Sequence, residues 1–139
     1  MRKNIYLTIV EQLQTLLDND NNPIIKHFDL WNENVAFAEE EFFATPAVFV
    51  EFDPIIYKAV KDPKQIATVG VKLHIVTQTQ INSLEYFDLI NSINHTLYNL
   101  SGTGFNGMWR TGSYTNHDHG ELLESIETYS CSGVDTSAV

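Results

Sequence analysis

The stretch "ELLESIETYSCSG", residues 121–133, decides the fold. Leu122, Leu123, Ile126 and Tyr129 recur at helical spacing. "SIETYSC", residues 125–131, has instead the composition and alternation of a strand. The balance falls to a strand from Leu123 to Cys131. Its period of two brings Leu123, Tyr129 and Cys131 to one face.

The residues just before it take their meaning from that choice. "TNHDHG", residues 115–120, sets His117 and His119 two apart, with Asp118 between them and Glu121 just beyond. On an extended chain the two imidazoles share a face, and with Asp118 and Glu121 they offer donors to a zinc ion. Tetrahedral zinc needs a further donor, and the chain has no cysteine pair. Asn116, Asp118 and Gly120 are ordinary turn formers. With "FNGMWRTGSYT" (105–115) as a strand, the segment is better placed as the tip of a closing hairpin. No metal and no cofactor is expected.

Working back along the chain, "NSLEYFDLINSINHTLYNL" (82–100) is a helix, with Ser83 as the expected N-cap. Leu84, Phe87, Ile90, Ile93, Leu97 and Leu100 form its expected apolar stripe. "IATVGVKLHIVTQTQ" (66–80) is the clearest strand. Val69, Val71, Leu73 and Ile75 point one way, and Gly70, Lys72 and His74 the other. "DPIIYKAVKDPKQ" (53–65) carries two prolines and reads as a long excursion or protruding hairpin. "AVFVEF" (47–52) is nearly all apolar, as suits a central strand covered on both faces. Glu39, Glu40 and Glu41 read as a solvated patch. "IIKHFDLW" (24–31) is a further strand, and a helix runs from Asn4 to Asp18, ended by "DNDNNP".

Strands grouped without regular strand–helix alternation predict an α+β domain spanning residues 1–139. The expected architecture is a mixed, mainly antiparallel sheet of four to five strands, with two amphipathic helices packed on one face. At 139 residues and 43% hydrophobic content, the chain suffices for one domain with a real core. A formal net charge of −10 argues against wrapping nucleic acid, which needs clustered basic residues. No apolar run has the length of a membrane span. No signal peptide is expected at the opening, since Glu11 and Gln12 interrupt its apolar segment. Cys131 is the only cysteine, so no internal disulfide forms and a reducing cytoplasm is the expected compartment.

Catalytic motifs are missing. There is no G-x-S-x-G elbow, phosphate-cradling loop or H-E-x-x-H, and "GTGFNG" follows a helix instead of joining a strand to one. His27, His74 and His95 are scattered over separate elements and read as surface or core histidines. Trp31, Trp109 and Arg110 are candidates for an interaction surface, because Trp and Arg are enriched at interface anchors, although tryptophans also fill cores. Ile55, Tyr57 and Lys58, in the 53–65 excursion, join them as candidates.

In the order of its parts the chain resembles the tail-terminator, or tail-completion, proteins of long-tailed bacteriophages and prophages. "YLTIVEQLQTLL" is similar to the family's opening helix, and "TPAVFVEFD" to its hydrophobic strand and polar turn. "IATVGVKLHIVTQTQ" leading into "SLEYFDLINSINHTLYNL" resembles its long strand and helix. The Leu-Ser-Gly, Trp-Arg and Asp-His elements followed by a strand resemble its terminal hairpin. Asp53–Gln65 and Glu39–Glu41 do not align, which leaves a head-completion or neck protein of the same particle as the alternative.

The resemblance implies a non-catalytic virion component assembled in the bacterial cytoplasm. Its partners would be other copies in a hexameric ring, the tail-tube protein and the head connector. Genome DNA would pass through the lumen without specific binding. Two readings from other classes stand beside it: a small metal-binding enzyme centred on His117, Asp118, His119 and Glu121, and an adaptor or inhibitor with an acidic surface for a basic partner.

Overall fold

A computed structural model describes residues 1–32, 43–116 and 120–139. The elements run α1 (Arg2–Leu13), β1 (His27–Leu30), β2 (Ala47–Phe52), β3 (Lys58–Lys61), β4 (Lys64–Gln78), α2 (Ser83–Leu97), β5 (Phe105–Asn116) and β6 (Leu122–Asp135). The six strands form one sheet in the order β1-β2-β4-β6-β5, with β3 paired to β4. Among the described residues only β1 and β2 pair in parallel. The fold is α+β as expected, with six strands among the described residues against the expected four to five.

β4 is the spine. Along one edge it pairs first with β3 and then with β2, in the registers Lys58↔Ile66 and Phe52↔Val71. Along the other it pairs with β6 from Gln65↔Asp135 to Gln78↔Leu122. The long alternating segment predicts this: its odd positions Val69, Val71, Leu73 and Ile75 are fully buried under the helices. Ile5, Ile9 and Leu13 of α1 and Leu89, Ile93 and Leu97 of α2 complete that core. Both helices therefore lie on one face of the sheet.

The contested segment is a strand. β6 places Tyr129 and Cys131 beside Val71 and Val69 in the core, so the expected face is correct and the strand continues to Asp135. β2 is buried on both faces, with Val48 and Val50 toward the helices and Ala47 and Phe49 on the far side. The 53–65 excursion is a β3–β4 hairpin standing out from the sheet. Gly70 lies where β4 changes partner, and a Cβ there would press on the Asp53 carboxylate, which folds over it. The Asp53 amide donates to the Gly70 carbonyl at 3.0 Å, and Asp53 pairs with Lys72 at 3.1 Å.

Other boundaries also differ from expectation. α1 stops at Leu13 instead of Asp18, because the Asp18 carboxylate accepts from the Asp20 and Asn22 amides at 2.9 Å each. A Leu17–Pro23 bridge then turns the chain back and leaves Leu17 half-exposed. The strand expected at 24–31 is regular only over His27–Leu30, although Ile25 reaches the core. α2 is capped by Asn82, not Ser83: the Asn82 Oδ1 accepts from the Leu84 amide at 2.9 Å. Tyr86 and Leu89 are buried in place of Leu84 and Phe87, which face solvent.

Candidate functional site

On the sheet face opposite the helices, strand register gathers an ionisable cluster from β2, β4 and β6. Phe49 lies opposite His74, which lies opposite Ile126. Glu51 and Glu124 stand one step away on the same face. His74 Nε2 is 2.7 Å from Glu51 Oε2, and its Nδ1 is 3.5 Å from Glu124 Oε2, an ion-pair distance longer than a good hydrogen bond. The Asn116 amide donates to the other oxygen of Glu124 at 3.1 Å. Trp31 lies flat on the imidazole, ring centroids 3.8 Å apart and planes within 2°. Phe49, packed on by Trp31 and Phe43, completes a second, smaller apolar cluster with Ala47 and Val76.

A histidine between two carboxylates has the parts of an acid–base relay. Here the indole covers its face and the residue is only 4% exposed. A buried carboxylate such as Glu124 is costly unless paired, and His74 and Asn116 supply the pairing. The cluster is a clamp that joins β2, β4, β6 and the segment after β1. Among the described residues, no group of three or more His, Cys, Asp or Glu is placed to hold a metal ion.

A second buried acid lies on the helix side. Glu127 is opposite Leu73, with Arg110 Nη1 3.4 Å from its Oε1. Burial pushes its carboxyl above the ordinary value, partly offset by hydrogen bonding to Ser113 and by Arg110. Nearby, the Tyr129 hydroxyl donates to Asn94 Oδ1 at 3.3 Å and ties β6 to α2. Burial drives the Tyr129 phenol far up and the Cys131 thiol to about 11, so neither is poised for chemistry.

The expected interaction residues separate into different environments. Trp31 packs on His74, and Ile55 packs against the main core. Trp109 is 56% exposed on β5, and Arg110 is committed to Glu127. Tyr57 and Lys58 are exposed on the approach to and start of β3. Beside them is a groove of about 820 Å³ lined by Pro54, Ile56, Lys58, Ile66, Phe105 and Val134, among others. At the opposite end of β4, the first turn of α2 exposes Leu84 and Phe87. His117, Asp118 and His119 lie outside the described residues, as do Glu39–Glu41; Glu121 is exposed, and its carbonyl accepts from the Thr79 amide.

No family model and no curated protein matches the chain. Among solved structures, it is similar to a chain of the virion of a native gene transfer agent particle, at a TM-score of 0.64 and 9% identity. The match covers 96% of this chain and 97% of that one. The two share a fold from end to end. At this identity the likeness concerns architecture alone.

The clamp was missed from sequence, although a signal was there. Glu51 in "AVFVEF", His74 in "VKLHIV" and Glu124 in "LLESI" are each an ionisable residue inside a run otherwise suited to burial. Only the register shows that the three meet. No helix among the described residues is long and apolar enough to cross a membrane.

Proposed function

We propose that this chain is a non-catalytic structural component of a phage or phage-like virion, working as a tail terminator. The observation that carries the reading is the end-to-end fold match to a virion chain. The order of elements, which resembles that of the tail-terminator family, agrees with it. In this role several copies form a ring, hexameric by the family resemblance, that caps the tail tube and meets the head connector. A net charge of −10 suits a ring through which DNA passes without adhering. The particle is assembled in the host cytoplasm, and the chain ends in the virion.

The chain's unspent surface supports the role. Among the described residues the His74 and Glu127 clusters are buried and paired, while large apolar residues stand exposed on the hairpin (Ile56, Val60), on α2 (Leu84, Phe87) and on β5 (Trp109), as well as at Leu7 and Leu30. Light scattering after size exclusion, followed by negative-stain imaging with and without tail-tube protein, tests the reading. Rings, or discs on tube ends, are expected. A strict monomer that ignores the tube protein sinks the terminator role. Binding to connector but not to tube would move the chain to the head-completion position.

A further inference from the structure

The 58–64 hairpin is a basic island on an acidic molecule. Lys58, Lys61 and Lys64 are three of only eight Lys and Arg in a chain of net charge −10, and Asp62 is the one acid among them. None of the three makes an ion pair among the described residues. The island is also greasy: Ile56 is 81% and Val60 63% exposed. Lys58, Ile66 and Val134 lie side by side across β3, β4 and β6 on the wall of the groove.

The first turn of α2 carries the complementary pattern. Leu84 is 73% exposed and Phe87 56%. Leu84, Phe87 and Asp88 share one helix face by their i, i+3, i+4 spacing, and Glu85 borders it. Neither acid is in an ion pair among the described residues, and no Lys or Arg occurs between Lys72 and Arg110. A convex apolar turn with acidic flanks is what a groove with lysine rims accepts. The two surfaces sit at opposite ends of β4, whose 15 residues span roughly 50 Å of extended chain. One molecule cannot join them to each other.

We infer that the groove beside the β3–β4 hairpin receives the first turn of α2 from a second copy of this chain, Leu84 and Phe87 entering among Ile56, Ile66 and Val134, and Glu85 and Asp88 facing the hairpin lysines. The contact is head-to-tail, so each copy offers one of each surface and the series closes into a ring or grows as a filament. This rests on the reading of the chain as an assembling subunit and names the surfaces that do the assembling.

A chain carrying both Val60→Cys and Leu84→Cys, treated with a short bismaleimide, is expected to give a ladder of dimers, trimers and higher species. Each single variant should stay monomeric on a denaturing gel. Cys131 is buried with its thiol pushed up to about 11 and does not compete. Adding Lys58→Glu and Lys61→Glu should cut the ladder at least about tenfold, and further adding Glu85→Lys and Asp88→Lys should restore it. Cross-links in a single variant would mean a like-on-like contact and overturn the inference. So would a missing ladder, or one indifferent to charge reversal. If light scattering shows the wild-type chain as an oligomer while the ladder is absent, this interface is wrong and the assembling role survives. A chain monomeric even with tube protein removes both.

Discussion

On the helix side of β4, Val69, Val71, Leu73 and Ile75 are fully buried and packed against α1 and α2. On the other side of the same strand, His74 is as thoroughly buried, yet it is held by Glu51, Glu124 and the flat face of Trp31. The first face depends on volume and shape, the second on pairing. An apolar face tolerates swaps of equal volume. A paired face tolerates none that removes one partner, because the other charge is then left buried. The helix side supplies most of the stability, and the clamp side fixes how β2, β4 and β6 register.

The comparison is broken most severely on the helix side. Leu73→Ala is expected to lower unfolding free energy by about 3–4 kcal/mol, measured by chemical denaturation. A loss below 1 kcal/mol would show that the core there is not close-packed. On the clamp side, His74→Ala should cost about 2 kcal/mol. That is less than for a fully buried pair, because the Glu51 side chain is 37% exposed to water and the buried Glu124 keeps its hydrogen bond from Asn116. Its distinguishing mark is a change of Trp31 fluorescence, which Leu73→Ala should not produce; an unchanged spectrum would count against the stack.

A smaller effect sharpens the contrast at Glu127, a charged group placed on the apolar side. Its folded-state value is raised, so the proton stabilises the fold. That contribution is complete below the ordinary value of 4.5 and is lost as the pH climbs through the raised one. Glu127→Gln keeps a neutral side chain at every pH. The melting temperature of the variant relative to wild type should therefore rise steadily from acid to neutral pH, and a constant or falling difference would refute the account. Smallest of all, Val60→Asp on the exposed hairpin should leave folding stability within about 0.5 kcal/mol, even where it abolishes association.

What was legible in the sequence follows from which periods are unambiguous. A period of two has only two faces, so the assignments along β4 and β6 were readable once each was taken as a strand. A helix has a continuous circle of faces. In α2 both Leu84–Phe87 and Tyr86–Leu89 fit a stripe toward Ile90 and Ile93, and tertiary packing selects the second. The end of α1 depends on the Asp18 side chain and the Leu17–Pro23 bridge, neither of which alters hydrophobic periodicity. The clamp was least legible, because three residues from three strands meet only through register. Conversely, the exposed hairpin was readable from its prolines and lysines, and with it one half of the proposed contact.

β4 carries a mechanical consequence. It is paired along one edge with β3 and β2 in succession and along the other with β6 over almost its full length. Tension applied along β4 loads these hydrogen bonds side by side, in shear, so they must fail together and not one after another as in peeling. The hairpin and the first turn of α2 stand near the two ends of that strand. If copies join there, pull transmitted from one copy to the next runs along the direction in which the sheet is hardest to open.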